Sequence, residues 1–221
     1  MKSLFKTIGF WLVMFLIFVI VKFAGEVYGR TSAERQLSTK ETTNEVNIVD
    51  EMKKFEIEST NHTNRMMEIL ISDLNENGWF TLFDPNRIKS DVNLKESKRI
   101  IKSVRSLSKK RRQMMAEYRD STKSRIMSLR IPSDAKEKML SVFYKASERV
   151  DEVATLDEQC ISEAEKIISI LSSSKEWAVL DGKIMLYNEY ERERASAHWD
   201  AMENISTQQM RMYKEMNGKN L

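Results

Sequence analysis

Apolar residues follow two different patterns along this chain. From Thr7 to Val21 the run TIGFWLVMFLIFVIV is uncharged throughout, whereas beyond about residue 45 apolar positions recur every three or four residues among charged ones. The first pattern predicts a membrane-spanning helix and the second predicts amphipathic helices that bury one face.

Thr7 through Gly25 is 19 residues. At 1.5 Å of rise per residue a helix of that length covers roughly 28 Å, about the hydrocarbon thickness of a bilayer. Ile8, Phe10, Trp11, Leu12, Val13, Met14, Phe15, Leu16, Ile17, Phe18, Val19, Ile20 and Val21 are the anchor residues of this segment. Lys22 stands near its end, where its aliphatic stem carries the ammonium to the headgroups. The alternative is a cleaved signal peptide with Lys2 and Lys6 as its basic start. Its only passable site follows Gly29, after a long stretch holding Lys22 and Glu26, which is unfavourable. Lys2 and Lys6 before the span nearly balance Lys22, Arg30 and Arg35 after it, so the positive-inside rule does not choose an orientation. A short basic tail ahead of a long polar body is the pattern of an exported C-terminus. The expectation is therefore a single pass through a bacterial inner membrane with the body in the periplasm.

Three segments follow: an anchor at 1–25, a polar juxtamembrane linker at 26–44 and a helical body at 45–221. Val46, Val49, Ile57, Met67, Leu70, Ile71 and Leu74 mark a first helix over 45–76, weakened by the polar stretch Thr60–Asn64 and ended by Asn77-Gly78. Trp79–Phe83 reads as an apolar connection over the bundle end. Asp84-Pro85 reads as a cap with Pro at the first helical position. The second helix, roughly Asp91–Leu129, carries the apolar line Leu94, Ile101, Val104, Met115, Tyr118, Ile126 and Leu129. Ile131-Pro132 breaks it, and Ser133 is the expected cap of a third helix reaching about Leu171. The seam of that helix is Met139, Val142, Ala146, Val153, Cys160, Ala164, Ile167 and Leu171. Asp181-Gly182 between Trp177–Leu180 and Lys183–Leu186 favours a two-residue β-hairpin, with a helix interrupted at Gly182 as the alternative. Asn188 then caps a last helix over about Glu189–Asn217. The fold class expected is all-α: a transmembrane helix followed by an elongated antiparallel four-helix bundle or coiled coil, with a small hairpin at 177–186.

Composition agrees with helices. Two Pro and six Gly in 221 residues leave few breakers, and charged residues make up 31% of the chain. A single cysteine, Cys160, excludes an internal disulfide.

Charge changes the picture more. Between Pro85 and Arg130 there are 15 Lys or Arg against four Asp or Glu. Lys95, Lys98, Lys102, Arg105, Lys109, Arg112, Arg119 and Lys123 recur at near-heptad spacing as a basic stripe. One reading is an anionic partner such as lipid headgroups, a cell-wall polymer or nucleic acid. The other is internal complementarity with Glu148, Asp151, Glu158 and Glu165 on the third helix. A symmetric fold-back about Ile131–Pro132 sets Arg112 against Asp151, Arg105 against Glu158 and Lys98 against Glu165. No zinc-finger spacing or aromatic strand motif accompanies the stripe, which argues against nucleic acid.

Candidate chemistry is sparse. His62, one turn after Glu58, and His198 lack the companions that a metal site needs, and neither has a Glu three residues ahead as a di-iron bundle requires. Cys160 falls on an apolar seam, where a thiol acts as a small hydrophobe. The 14 Met sit at helical spacing, the pattern of core filling. No phosphate loop, nucleophile elbow or paired-carboxylate signature is present in the sequence. No cofactor or metal is expected, and the expected role is a non-enzymatic scaffold at the cell envelope. Its expected partners are the lipid bilayer and a protein or a second copy, with a small-molecule ligand unsupported by any motif. The alternatives are a ligand-sensing bundle, with a polar cleft near Thr60–Asn64 and Arg194–His198, and an envelope-bridging or lysis-accessory coiled coil.

Overall fold

The computed structural model describes residues 54, 55, 57, 58, 61, 65, 66 and 68–217. The expected anchor at 1–25, the linker at 26–44 and the polar positions Thr60 and His62–Asn64 lie outside the described residues. The described chain is mostly helical, with one small two-stranded antiparallel sheet.

A leading helical segment, 68–76, stops where the pattern of the sequence says it should. Gly78 takes the left-handed conformation with φ of 78°, which a side chain resists. A Cβ there would also stand 3.2 Å from the Ile100 side chain, so the turn packs directly on the long helix that holds Ile100. A 3-10 turn, Trp79–Thr81, follows, and Trp79, Leu82 and Phe83 are buried. Asp84 then caps α1 (Pro85–Ser90), its Oδ1 accepting from the backbone N–H of Asn86 at 3.0 Å and of Arg87 at 3.1 Å.

The second long helix begins four residues later than the sequence suggests. Val92–Leu94 forms a 3-10 turn in which Asn93 and Leu94 have φ of 55° and 51°, and α2 proper runs Lys95–Ser128. A left-handed non-glycine residue costs roughly 1–2 kcal/mol. Complete burial of Leu94 and a polar clamp offset that cost. Asp91 accepts from the N–H groups of Glu96 (2.9 Å) and Ser97 (2.8 Å) and from the Ser97 hydroxyl (2.7 Å). The Arg87 guanidinium donates to Asp91, to the Ser97 hydroxyl and to the carbonyls of Thr81 and Leu82. Burial alone would push the Asp91 carboxyl up. The donors from Ser97 and Glu96, with the Arg87 charge, outweigh it and hold the group below its ordinary value.

α3 (Ser133–Ser173) is the longest element at 41 residues, or roughly 60 Å. Its cap corrects one expectation: Pro132 occupies the N-cap position and no side chain accepts there, so Ser133 is the first helical residue rather than the cap. Val142 is a second correction. It is exposed, because the packing stripe of α3 passes through Met139, Val150 and Val153 instead. Leu171 and the serines after it end the helix near its expected limit.

β1 (Trp177–Leu180) and β2 (Lys183–Leu186) pair antiparallel, with Trp177 opposite Leu186 and Leu180 opposite Lys183. Asp181 and Gly182 both have positive φ, 49° and 69°, as the tight turn requires. Asn188 accepts from the N–H of Glu191 at 3.1 Å and opens α4 (Glu189–Asn217).

α3 packs on both α2 and α4. Its side-chain partners fall as theirs rise in number, so it runs antiparallel to each. The main core lies at the hairpin end of the bundle. Ile100, Ile101 and Val104 of α2 meet Cys160–Leu171 of α3 and Met202 and Ile205 of α4 there, closed over by Trp79, Leu82, Phe83 and Leu186. At the α2–α3 turn a smaller cluster holds Phe55, Ile126, Ile131 and Met139.

Candidate functional site

The heptad spacing of the basic stripe places one cation per two turns on the face that α2 turns towards α3. Arg105 pairs with Glu165 at 2.7 Å and Arg119 with Asp151 at 2.7 Å, while the Lys98 ammonium donates to the Ser172 hydroxyl at 2.6 Å. Each descent on α3, from 172 to 165 to 151, matches the climb on α2 from 98 to 105 to 119. The two stripes therefore face one another, as complementarity demands.

The three named pairs nevertheless do not form. Arg105 meets Glu165 rather than Glu158, Asp151 meets Arg119 rather than Arg112, and Lys98 reaches Ser172 rather than Glu165. Every partner lies one heptad beyond its expected place. Side chains on a helix lean towards its N-terminus. On antiparallel helices a long cation of α2 thus reaches away from the connecting turn, while an acid of α3 reaches back towards it. Contact is made between positions whose numbers add to more than a symmetric fold-back allows. The remaining heptad partner is diverted: Glu158 accepts from the Ser108 hydroxyl at 2.6 Å, and Arg112 donates to the Ala154 carbonyl at 3.1 Å.

Not all the stripe is consumed in this way. Lys102 and Lys109 have no ion-pair partner among the described residues, and Lys95 and Lys123 are exposed. Lys98, Lys102, Arg105 and Lys109 line one wall of an open groove of about 730 Å³ between α2 and α3. Serines at 169, 172 and 173 line the other wall, Ile101 and Ile168 contribute apolar surface, and Glu165 is its one acid.

A second polar group was concealed by the pattern. Asp157 falls on the α3 seam between Val153 and Cys160, and it is buried. Arg111 of α2 donates to its Oδ2 at 2.5 Å and Gln209 of α4 to its Oδ1 at 2.8 Å, so one carboxylate ties three helices together. Burial pushes this carboxyl above its ordinary value against the opposing pull of Arg111 and Gln209. A charged residue in an apolar heptad seam was the signal available in the sequence. A small cavity of about 40 Å³ adjoins it, bordered by Trp79, Val104 and Cys160. The Cys160 thiol is pushed up to about 12 by burial, and the charges of Asp157 and Glu163 add to the effect, so it is a poor nucleophile at neutral pH.

Glu163, two turns along α3, accepts from Lys166 at 2.5 Å and contacts Nδ1 of His198 on α4 at 2.6 Å. Burial raises this carboxyl, but these two hydrogen bonds and charges outweigh it and bring it below its ordinary value. His198 is thus an interhelical tie, and Arg194 lies 5.5 Å from the centre of the Tyr190 ring. Among the described residues no group of three or more His, Cys, Asp and Glu is arranged to hold a metal ion. No described helix is long and apolar enough to cross a membrane.

The hairpin also exposes apolar side chains. Register puts Val179 and Ile184 on its inner face and Leu180 and Met185 on its outer one. Leu180 is 50% exposed, Met185 40%, Tyr187 54% and Tyr190 67%, so the outer face continues into the start of α4. Comparisons with protein-family models, with curated proteins and with solved structures each return no match to this chain.

Proposed function

We propose that this chain is a membrane-anchored helical bundle that serves as a non-enzymatic scaffold, with Thr7–Val21 as its anchor and the bundle as its interaction body. The observation that carries the reading is the outer face of the hairpin: Leu180 and Met185 are exposed on it, Tyr187 and Tyr190 are exposed just after it in the chain, and Leu186 ties the hairpin to the core. Aromatic and Met side chains exposed together are the composition of protein–protein contact surfaces. The helices in this reading form an antiparallel four-helix bundle whose body lies on the periplasmic side of a bacterial inner membrane.

The test has two arms. A C-terminal tag on the full chain should sediment with membranes and be cleaved by protease added to intact spheroplasts. A soluble or protease-protected tag rejects the anchor or its orientation. A photo-crosslinking residue at Met185 should give a discrete adduct with a protein or a second copy, whereas the same residue at Lys110, on α2, should not. Equal, diffuse labelling at both positions rejects the hairpin as the contact face.

A further inference from the structure

We infer that the groove between α2 and α3 is a binding site for an extended, phosphate-bearing anion. Internal pairing explains only part of the basic stripe. Arg105 is neutralised by Glu165, and Lys98 is held by a neutral hydroxyl, while Lys102 and Lys109 have no ion-pair partner among the described residues. Three uncompensated ammonium groups therefore share one groove wall with one neutralised guanidinium. Like charges three or four residues apart on a helix repel. The acidic stripe of α3, which could have relieved that repulsion, stops short of it: in this stretch it supplies Glu165 alone.

The geometry selects the ligand class. Lys98, Lys102, Arg105 and Lys109 stand at steps of four, three and four residues on one helix face. At 1.5 Å of rise per residue the row is about 16 Å long with a cation every 5–6 Å. Such a row matches a chain of charges better than a single ion. Ammonium groups and serine hydroxyls are donors suited to the many acceptor oxygens of phosphate. The ligand is accordingly a row of phosphates, free or carried by lipid headgroups. This inference goes beyond the scaffold reading and holds whichever face of a membrane the body occupies.

Ser106 lines the groove and is exposed, while Cys160 is buried, so S106C provides a single reactive thiol. The experiment follows maleimide labelling of S106C in the full chain in non-ionic detergent. Sodium tripolyphosphate is titrated in one arm, and phosphatidylglycerol replaces phosphatidylcholine in mixed micelles in the other. Labelling should slow at least fivefold in one arm. K102A/K109A should raise the half-protecting concentration about tenfold or more, whereas K95A/K123A, which removes the same charge outside the groove, should change it less than twofold. Protection by tripolyphosphate identifies a soluble phosphate chain, and protection by phosphatidylglycerol alone identifies headgroups. Absence of protection in both arms, or equal weakening by the two double variants, overturns the inference.

Discussion

The hairpin end of the α2–α3 pair and its middle are held together by different forces. At the hairpin end Ile100, Ile101 and Val104 interlock with Cys160–Leu171. Between Val104 and Thr122 no residue of α2 is buried, although the α3 turns it meets there bury Val150, Val153, Ala154 and Asp157. Across that stretch the contacts are Arg111–Asp157, Arg119–Asp151 and Ser108–Glu158, with Arg125–Glu58 beyond it. Packing is non-directional and scales with buried area, so it stabilises the pair without choosing a register. Charge pairs add little energy when exposed, but they are positional, and their better use is fixing which turn faces which. The hairpin end supplies stability and the middle alignment.

The largest expected effect lies where the two modes meet. D157A leaves the largely covered Arg111 guanidinium without its carboxylate and should lower unfolding free energy by about 3–5 kcal/mol, measured by urea denaturation. Replacing both partners, as Asp157→Leu with Arg111→Met, should restore most of that loss or exceed it. If the double variant is as damaged as the single one, Asp157 does more than fill the seam.

The pH dependence sharpens the same contrast. A carboxyl raised by folding contributes most below its unfolded value and loses that contribution as pH rises through its folded value; one that is lowered behaves in the opposite way. Asp157 is raised, while Asp91 and Glu163 are lowered. As pH falls from neutrality into the ordinary carboxylate range, D157N should therefore lose stability more steeply than the wild type, and D91N less steeply. Parallel acid limbs for both variants would refute the assignment.

Next comes the apolar end. I167A removes a fully buried side chain and should cost about 2–5 kcal/mol, whereas V142A on the exposed stretch should stay within about 0.5 kcal/mol. A comparable loss at both sites would mean that the α3 stretch around Val142 is packed as firmly as the hairpin end. The smallest effect is the most specific: a double-mutant cycle on Arg119 and Asp151 should give a coupling of about 0.2–1 kcal/mol, and one on Arg112 and Asp151 none. The reverse result would restore the symmetric register.

The sequence by itself determined most of the elements and several of their ends. Asp84-Pro85, Asn77-Gly78, Asp181-Gly182 and Asn188 act over three or four residues, so their effects are legible without knowing what packs nearby. It also offered, as one of two readings, a basic stripe on α2 that answers an acidic one on α3. Tertiary structure alone decided the register of that match, because it depends on the lean of side chains and the geometry of the turn, neither of which appears in spacing. It alone divided the stripe into cations that pair and cations that line a groove. It alone exposed Val142 and buried Asp157, because burial belongs to the neighbour a face meets and not to the residue that occupies it.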